Sequence, residues 1–167
     1  MINKVPTYVL SVILFIGLIM FFFSGPGYHS ARSFKTLWDL GHILFYTILT
    51  IILLRKWKRF SSLNIFSQFL LGILITLLTG IPIELLQIEF SRIPEFGDIW
   101  RNLLGCFVGI SFFSPKMEKL PQGWKRFLKI LVIILVLVEI TAPIKNIIDE
   151  TIARRQFPLL SGFETPF

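Results

Sequence analysis

Long apolar runs separated by short basic or polar segments dominate the chain. The first run, Thr7 to Ser24, follows Lys4 and ends at the turn Gly25-Pro26-Gly27. It is longer than a signal-peptide core and lacks a small-x-small cleavage site, so it reads as an uncleaved helix. The second, Leu37 to Leu54, stops at Arg55-Lys56-Trp57-Lys58-Arg59, a segment that suits a headgroup interface and not hydrocarbon. The third runs from Ile65 to about Ile88, with Pro82 placed to kink its last third. The fourth, Asp98 to Phe113, is short and ends at Ser114-Pro115, and the fifth covers Phe127 to about Pro143. A crossing takes about 20 residues, so the pattern predicts an all-α integral membrane bundle of about five transmembrane helices over residues 1–143.

Beyond Pro143 the pattern changes. Ile144, Ile147, Ile148 and Ile152 recur at helical spacing opposite Lys145, Asp149, Glu150 and Arg154. Residues 144–167 therefore read as an amphipathic and then irregular tail lying on the outer face. The stretch from Phe157 to Phe167 leaves open whether an outer domain follows. No internal repeat or low-complexity tract is visible.

Composition removes the soluble alternatives, since 54% of the residues are hydrophobic and the mean hydropathy is +0.74. The net charge of +7 sits in the connections and not in one stripe, which argues against a nucleic-acid partner. Short loops rich in Lys and Arg stay in the cytoplasm. Lys4, the 55–64 loop and the 114–126 loop accordingly place the amino terminus inside and the 25–36 and 89–97 segments outside. The single cysteine, Cys106, falls inside a crossing, forms no intrachain disulfide and reads as a small packing residue.

Ionisable groups are costly in a membrane, so the place where the few of them meet matters. They converge on the outer side. The second helix begins with Asp39 and His42 on one face and Tyr46 one turn deeper; the third ends with Glu84 and Gln87 at the same spacing. The connection supplies Glu89, Arg92 and Glu95, and the fourth helix opens with Asp98, Arg101 and Asn102. Asp98 stands where an N-cap is expected. Gly105 and Gly109 lie on the face below Asn102 and permit close approach, pressing Asp98 and Asn102 against the third helix. Glu139 reads as a residue near enough to the interface to reach water, with membership of the cluster or contact with a second copy as alternatives. His29 reads as a solvated loop residue.

The run Glu84-Leu-Leu-Gln87, then Arg92, Asp98, Asn102 and Gly105, preceded by Asp39 and His42, resembles the VanZ-like membrane family, named for an accessory protein of teicoplanin resistance. The resemblance covers about residues 35–113. One departure is that Asp39 is followed by Leu40 and Gly41 where the family has Asp-Lys-x-x-His. The resemblance implies a multi-pass protein of the bacterial cytoplasmic membrane, acting at or near its outer face, with membrane lipid or a lipid-linked cell-wall precursor as partner and an effect on lipoglycopeptide susceptibility.

Three functions fit these residues. The polar site recognises an envelope component through Asp39, Gln87, Arg92, Arg101 and Asn102. Alternatively it is an enzyme acting on a lipid-linked substrate, with His42, Glu84 and Asp98 as candidate acid and base and an arginine as anion clamp. Third, the residues form a network that only packs helices together. No nucleophile motif is visible. One membrane histidine with scattered carboxylates falls short of the usual zinc pattern, so no metal or cofactor is expected. Paired broken helices are absent, which disfavours a transporter. The oligomeric state is not set by the sequence.

Overall fold

A computed structural model describes residues 25–26, 30–88 and 95–156, and among the described residues every regular element is helical. The first apolar run, His29, Glu89, Arg92 and the stretch from Phe157 onward lie outside the described residues. The helices are α1 (Arg32–Lys56), the short α2 (Lys58–Ser62), α3 (Ile65–Gln87), α4 (Phe96–Phe113) and α5 (Gln122–Gln156), with a 3₁₀ turn at Met117–Lys119.

Helices α1, α3 and α5 are long and apolar enough to cross a membrane. At 1.5 Å per residue α1 is about 37 Å long and α3 about 35 Å, each sufficient for about 30 Å of hydrocarbon. The short α4 reaches only about 27 Å by the same rise, and its first turns carry Asp98 and Arg101.

Burial identifies the solvent. The inward residues of α3 are Gln68, Gly72, Thr76, Gly80, Glu84 and Gln87, a stripe of polar or small side chains at nearly four-residue spacing. Its outward face presents Phe66, Leu70, Leu74, Leu78, Ile81 and Leu85. A helix in water buries the opposite set. This inside-out arrangement is stable where lipid tails surround the outer face and polar groups find partners only inside.

The chain alternates direction. At the basic end, Gln68 at the start of α3 donates to the carbonyls of Phe60, Ser61 and Leu63 and accepts from Ser114 Oγ just past α4. Asn64 caps α3 by accepting from the Ser67 amide at 2.8 Å. The loops at 57–64 and 114–121 therefore share one end of the bundle. At the other end the start of α1 meets the far part of α5, where Ser33 donates to Glu150 from both its amide and its hydroxyl.

Glycine sets the closest contact. A Cβ on Gly105 would overlap the backbone carbonyl of Ile43, and one on Gly109 would stand 2.6 Å from Thr50 Cβ. The glycine face of α4 thus lies against α1, not against α3 as the sequence reading had it. Helix α3 approaches α4 through its own glycines: a Cβ on Gly72 would be 2.7 Å from Cys106 Sγ, and one on Gly80 would be 2.9 Å from Asn102 Nδ2. Cys106 is buried with Leu54, Phe60 and Ile110 in the apolar core of the basic half.

The fifth apolar run does not end at Pro143. Helix α5 continues through it to Gln156 for 35 residues, so residues 144–156 extend the membrane helix and are not a separate tail. Pro removes one amide and displaces one carbonyl bond, a loss that a long membrane helix held on both sides of the Pro tolerates. At about 52 Å, α5 exceeds a whole bilayer of about 40–45 Å, and its ends stand clear of the hydrocarbon.

Candidate functional site

Four helices carry polar side chains to the end opposite the basic loops. Helix α1 contributes Asp39, His42 and Tyr46, α3 contributes Glu84 and Gln87, α4 contributes Trp100, Arg101, Asn102 and Asp98, and α5 contributes Glu139. His42, Gln87 and Asn102 are each 1% exposed, and Glu84 and Asp98 4%. That depth of burial for five polar groups is exceptional in so small a bundle.

Asp98 lies in the first turn of α4, but the N-cap position belongs to Glu95, whose carbonyl accepts from the Asp98 amide. The Asp98 carboxylate is turned instead into the bundle. Its Oδ1 accepts from Arg101 Nη1 at 2.6 Å and its Oδ2 lies 3.5 Å from His42 Nε2. The other imidazole nitrogen, Nδ1, is 2.9 Å from Asn102 Oδ1. An amide oxygen only accepts, so Nδ1 carries a proton and Nε2 is the nitrogen presented to Asp98. Asn102 fits because Gly80 has no side chain at that level.

Arg101 is held from three sides. Besides Asp98, its Nε donates to Glu139 Oε2 at 3.1 Å, and Asp39 Oδ2 is 3.8 Å from Nη1. Glu139 accepts a second bond from Trp100 Nε1 at 3.0 Å. Of the readings open for Glu139, membership of the cluster is the one its contacts with Arg101 and Trp100 bear out. Its distance in sequence from the other acids hid this. Trp100 was also missed, because an interfacial tryptophan is ordinary in a membrane helix.

Glu84 Oε2 accepts from the Glu95 amide at 3.3 Å, which ties the end of α3 to the start of α4. Tyr46 OH and Thr79 Oγ1, 3.1 Å apart, join α1 to α3 one turn deeper. The structure thus brings together Asp39, His42, Glu84, Asp98, Arg101 and Asn102, with Gln87 buried on the same face of α3 as Glu84. Arg92 lies outside the described residues.

Among the described residues, four carboxylates (Asp39, Glu84, Asp98, Glu139) surround one guanidinium and one imidazole. Arg101 is engaged by three acids from three helices, so it acts as a staple between them, and an incoming anion would have to compete with carboxylates for it. Beside the cluster, an apolar cleft of about 400 Å³ runs between α1, α4 and α5, lined by Leu40, Leu44, Val108, Val136 and Ile140 among others.

No family model matches the chain, and neither the curated proteins nor the solved structures contain a significant match.

Proposed function

We propose that this is a multi-pass protein of the bacterial cytoplasmic membrane, VanZ-like in its residue pattern, whose polar end faces outward and recognises an envelope component. The component is a lipid headgroup or a lipid-linked cell-wall precursor. The observation that carries this reading is the contrast between the two ends of the bundle. The buried contacts of the basic end are neutral, Gln68 with Ser114 and backbone carbonyls, and its ion pair between Lys125 and Glu118 lies on the exposed surface. The other end buries acids and a histidine, which cost far more in lipid than a packing function requires.

The acid excess among the described residues makes the site complementary to the cationic or hydroxyl-bearing part of a headgroup. The neighbouring cleft suits an acyl chain, and Leu40 and Ile140 in its wall directly follow Asp39 and Glu139 in the chain. The positive-inside pattern of the 55–64 and 114–126 loops supports the outward orientation. A second reading, acid–base catalysis on the same lipid-linked substrate, is favoured by one observation: the buried His42 imidazole lies between the Asp98 carboxylate and the Asn102 amide, which sets a titratable base beside an acid from a facing helix.

The test is expression of wild type and Glu84→Gln at matched membrane levels in a host lacking its own VanZ-like proteins, with lipoglycopeptide susceptibility and the lipid-linked precursor profile as readouts. A change in either readout that the substitution abolishes supports recognition or catalysis at the site. Identical behaviour of empty host, wild type and variant rejects both.

A further inference from the structure

We propose that His42, Glu84 and Asp98 form a binding site for a divalent cation of the zinc class. Three different helices supply one ligand each, and an imidazole nitrogen and one oxygen from each carboxylate all lie within 4.8 Å of one another. Ligands bound to zinc at about 2.0–2.2 Å in a tetrahedron are about 3.4 Å apart. The His42 Nε2 to Asp98 Oδ2 distance of 3.5 Å already matches that edge, and an oxygen of Glu84 lies within 4.8 Å of the other two ligand atoms.

The surroundings are those of a ligand set. A metal-binding histidine usually donates its second ring nitrogen to a carbonyl or carboxylate, which fixes the tautomer and aims the other nitrogen at the ion. Asn102 does this for His42, and Gly80 leaves the room that Asn102 occupies. Asp98 is likewise oriented: Arg101 holds Oδ1, which leaves Oδ2 turned toward the imidazole. Charge points the same way. Among the described residues around them, the two buried carboxylates of the set lie where acids outnumber cations, and a divalent ion offsets both.

The imidazole argues against magnesium and calcium, which take oxygen ligands, and the absence of a thiolate from the set argues against the softer metals. Cys106 packs lower in the bundle, against Gly72. Three protein ligands leave a fourth position for water or for an oxygen of a bound headgroup. Only that last step rests on the headgroup reading; the ion site stands without it.

The experiment uses the full chain purified in detergent, stripped with a chelator and dialysed against Zn²⁺, with bound metal counted by elemental mass spectrometry. Replacement by Co²⁺ reports coordination through its visible absorption. The result expected is one tightly held ion per chain, intense Co²⁺ bands of a four-coordinate site, and affinity at least about ten-fold weaker in Glu84→Gln and Asp98→Asn. Glu118→Gln, which removes an acid at the opposite end, is expected to bind like wild type. If the site variants do not fold, the Co²⁺ spectrum of the wild type decides alone. Absence of stoichiometric metal, a Co²⁺ spectrum of the hexa-aqua type, or equal binding by folded site variants overturns the proposal. None of these readouts involves a lipid, so failure here leaves the recognition reading standing.

Discussion

Arg101 and Glu139 lie on different helices and form an ion pair, Nε to Oε2, at 3.1 Å. Through this pair and the parallel bond from Trp100, the long helix α5 is fastened to the first turns of α4. Both partners are mostly buried, at 18% and 17% side-chain exposure, so removing one leaves the other poorly solvated. Glu139→Ala is expected to lower stability by about 1–3 kcal/mol, and Glu139→Gln, which still accepts from Trp100, by less. Thermal unfolding in detergent, followed by size-exclusion recovery, measures both.

The glycines make a graded series. Gly105→Ala meets the Ile43 backbone, which cannot retract, and is expected to prevent close packing of α1 on α4 and to reduce the folded yield most severely. Gly72→Ala meets the Cys106 thiol, a side chain with some freedom, and overpacking of that kind costs about 1–3 kcal/mol. Gly123→Ala meets nothing within 4 Å and is expected to be neutral or slightly stabilising. Expression as a fluorescent fusion with detergent chromatography ranks the three.

The two ends of the bundle are separable. Gln68→Leu leaves the Phe60, Ser61 and Leu63 carbonyls and the Ser114 hydroxyl without their present partner, an expected cost of about 1–3 kcal/mol for each group left unsatisfied. The variant is expected to be less stable yet, once folded, to retain whatever the polar end binds. Loss of binding in a folded Gln68→Leu protein would show that the ends are coupled.

The apolar runs predicted most of the helices because a membrane segment must bury its backbone bonds within itself, which leaves a long unbroken pattern. Helix α3 matches its run to within a residue, and Pro82 sits inside it as expected. The same tolerance was not extended to Pro143, where the change from uniform to amphipathic pattern suggested a boundary. The change of pattern there marks no helix end, since α5 runs unbroken through it to Gln156. Local spacing placed Asp39, His42, Glu84, Asp98 and Asn102 on the right faces. It could not say which faces meet: that depended on the contact of Gly105 with Ile43, which sets α4 against α1. Nor could it choose among the alternatives for Glu139, which α5 carries to Arg101 and Trp100 by returning antiparallel to α4.

At the basic end, the Lys125 ammonium bonds Glu118 at 2.6 Å and, with its charge, holds that carboxyl below the ordinary glutamate range. The folded value is lower than the unfolded one, so the contribution is present above the ordinary glutamate range of about 4.3 and is lost as pH falls through the folded value. Glu118 is exposed, and salt screens the pair. The difference in melting temperature between wild type and Glu118→Gln is expected to be small at neutral pH and to vanish in acid.

Sidedness is open to single-cysteine labelling. Cys106 is buried and is expected to stay silent, so it need not be removed. With the polar end outward, Ala31→Cys is expected to react with an impermeant maleimide in intact cells, and Lys119→Cys only after the cells are opened. The reverse pattern would place the polar end in the cytoplasm.

Recognition itself is best tested by identifying the lipids that remain bound when wild type and Glu84→Gln are purified from matched membranes in mild detergent and analysed by native mass spectrometry. The expected result is an envelope lipid or lipid-linked precursor retained stoichiometrically by the wild type and depleted in the folded variant. Identical bulk phospholipid on both proteins would contradict recognition and leave the buried acids as a device for holding four helices together.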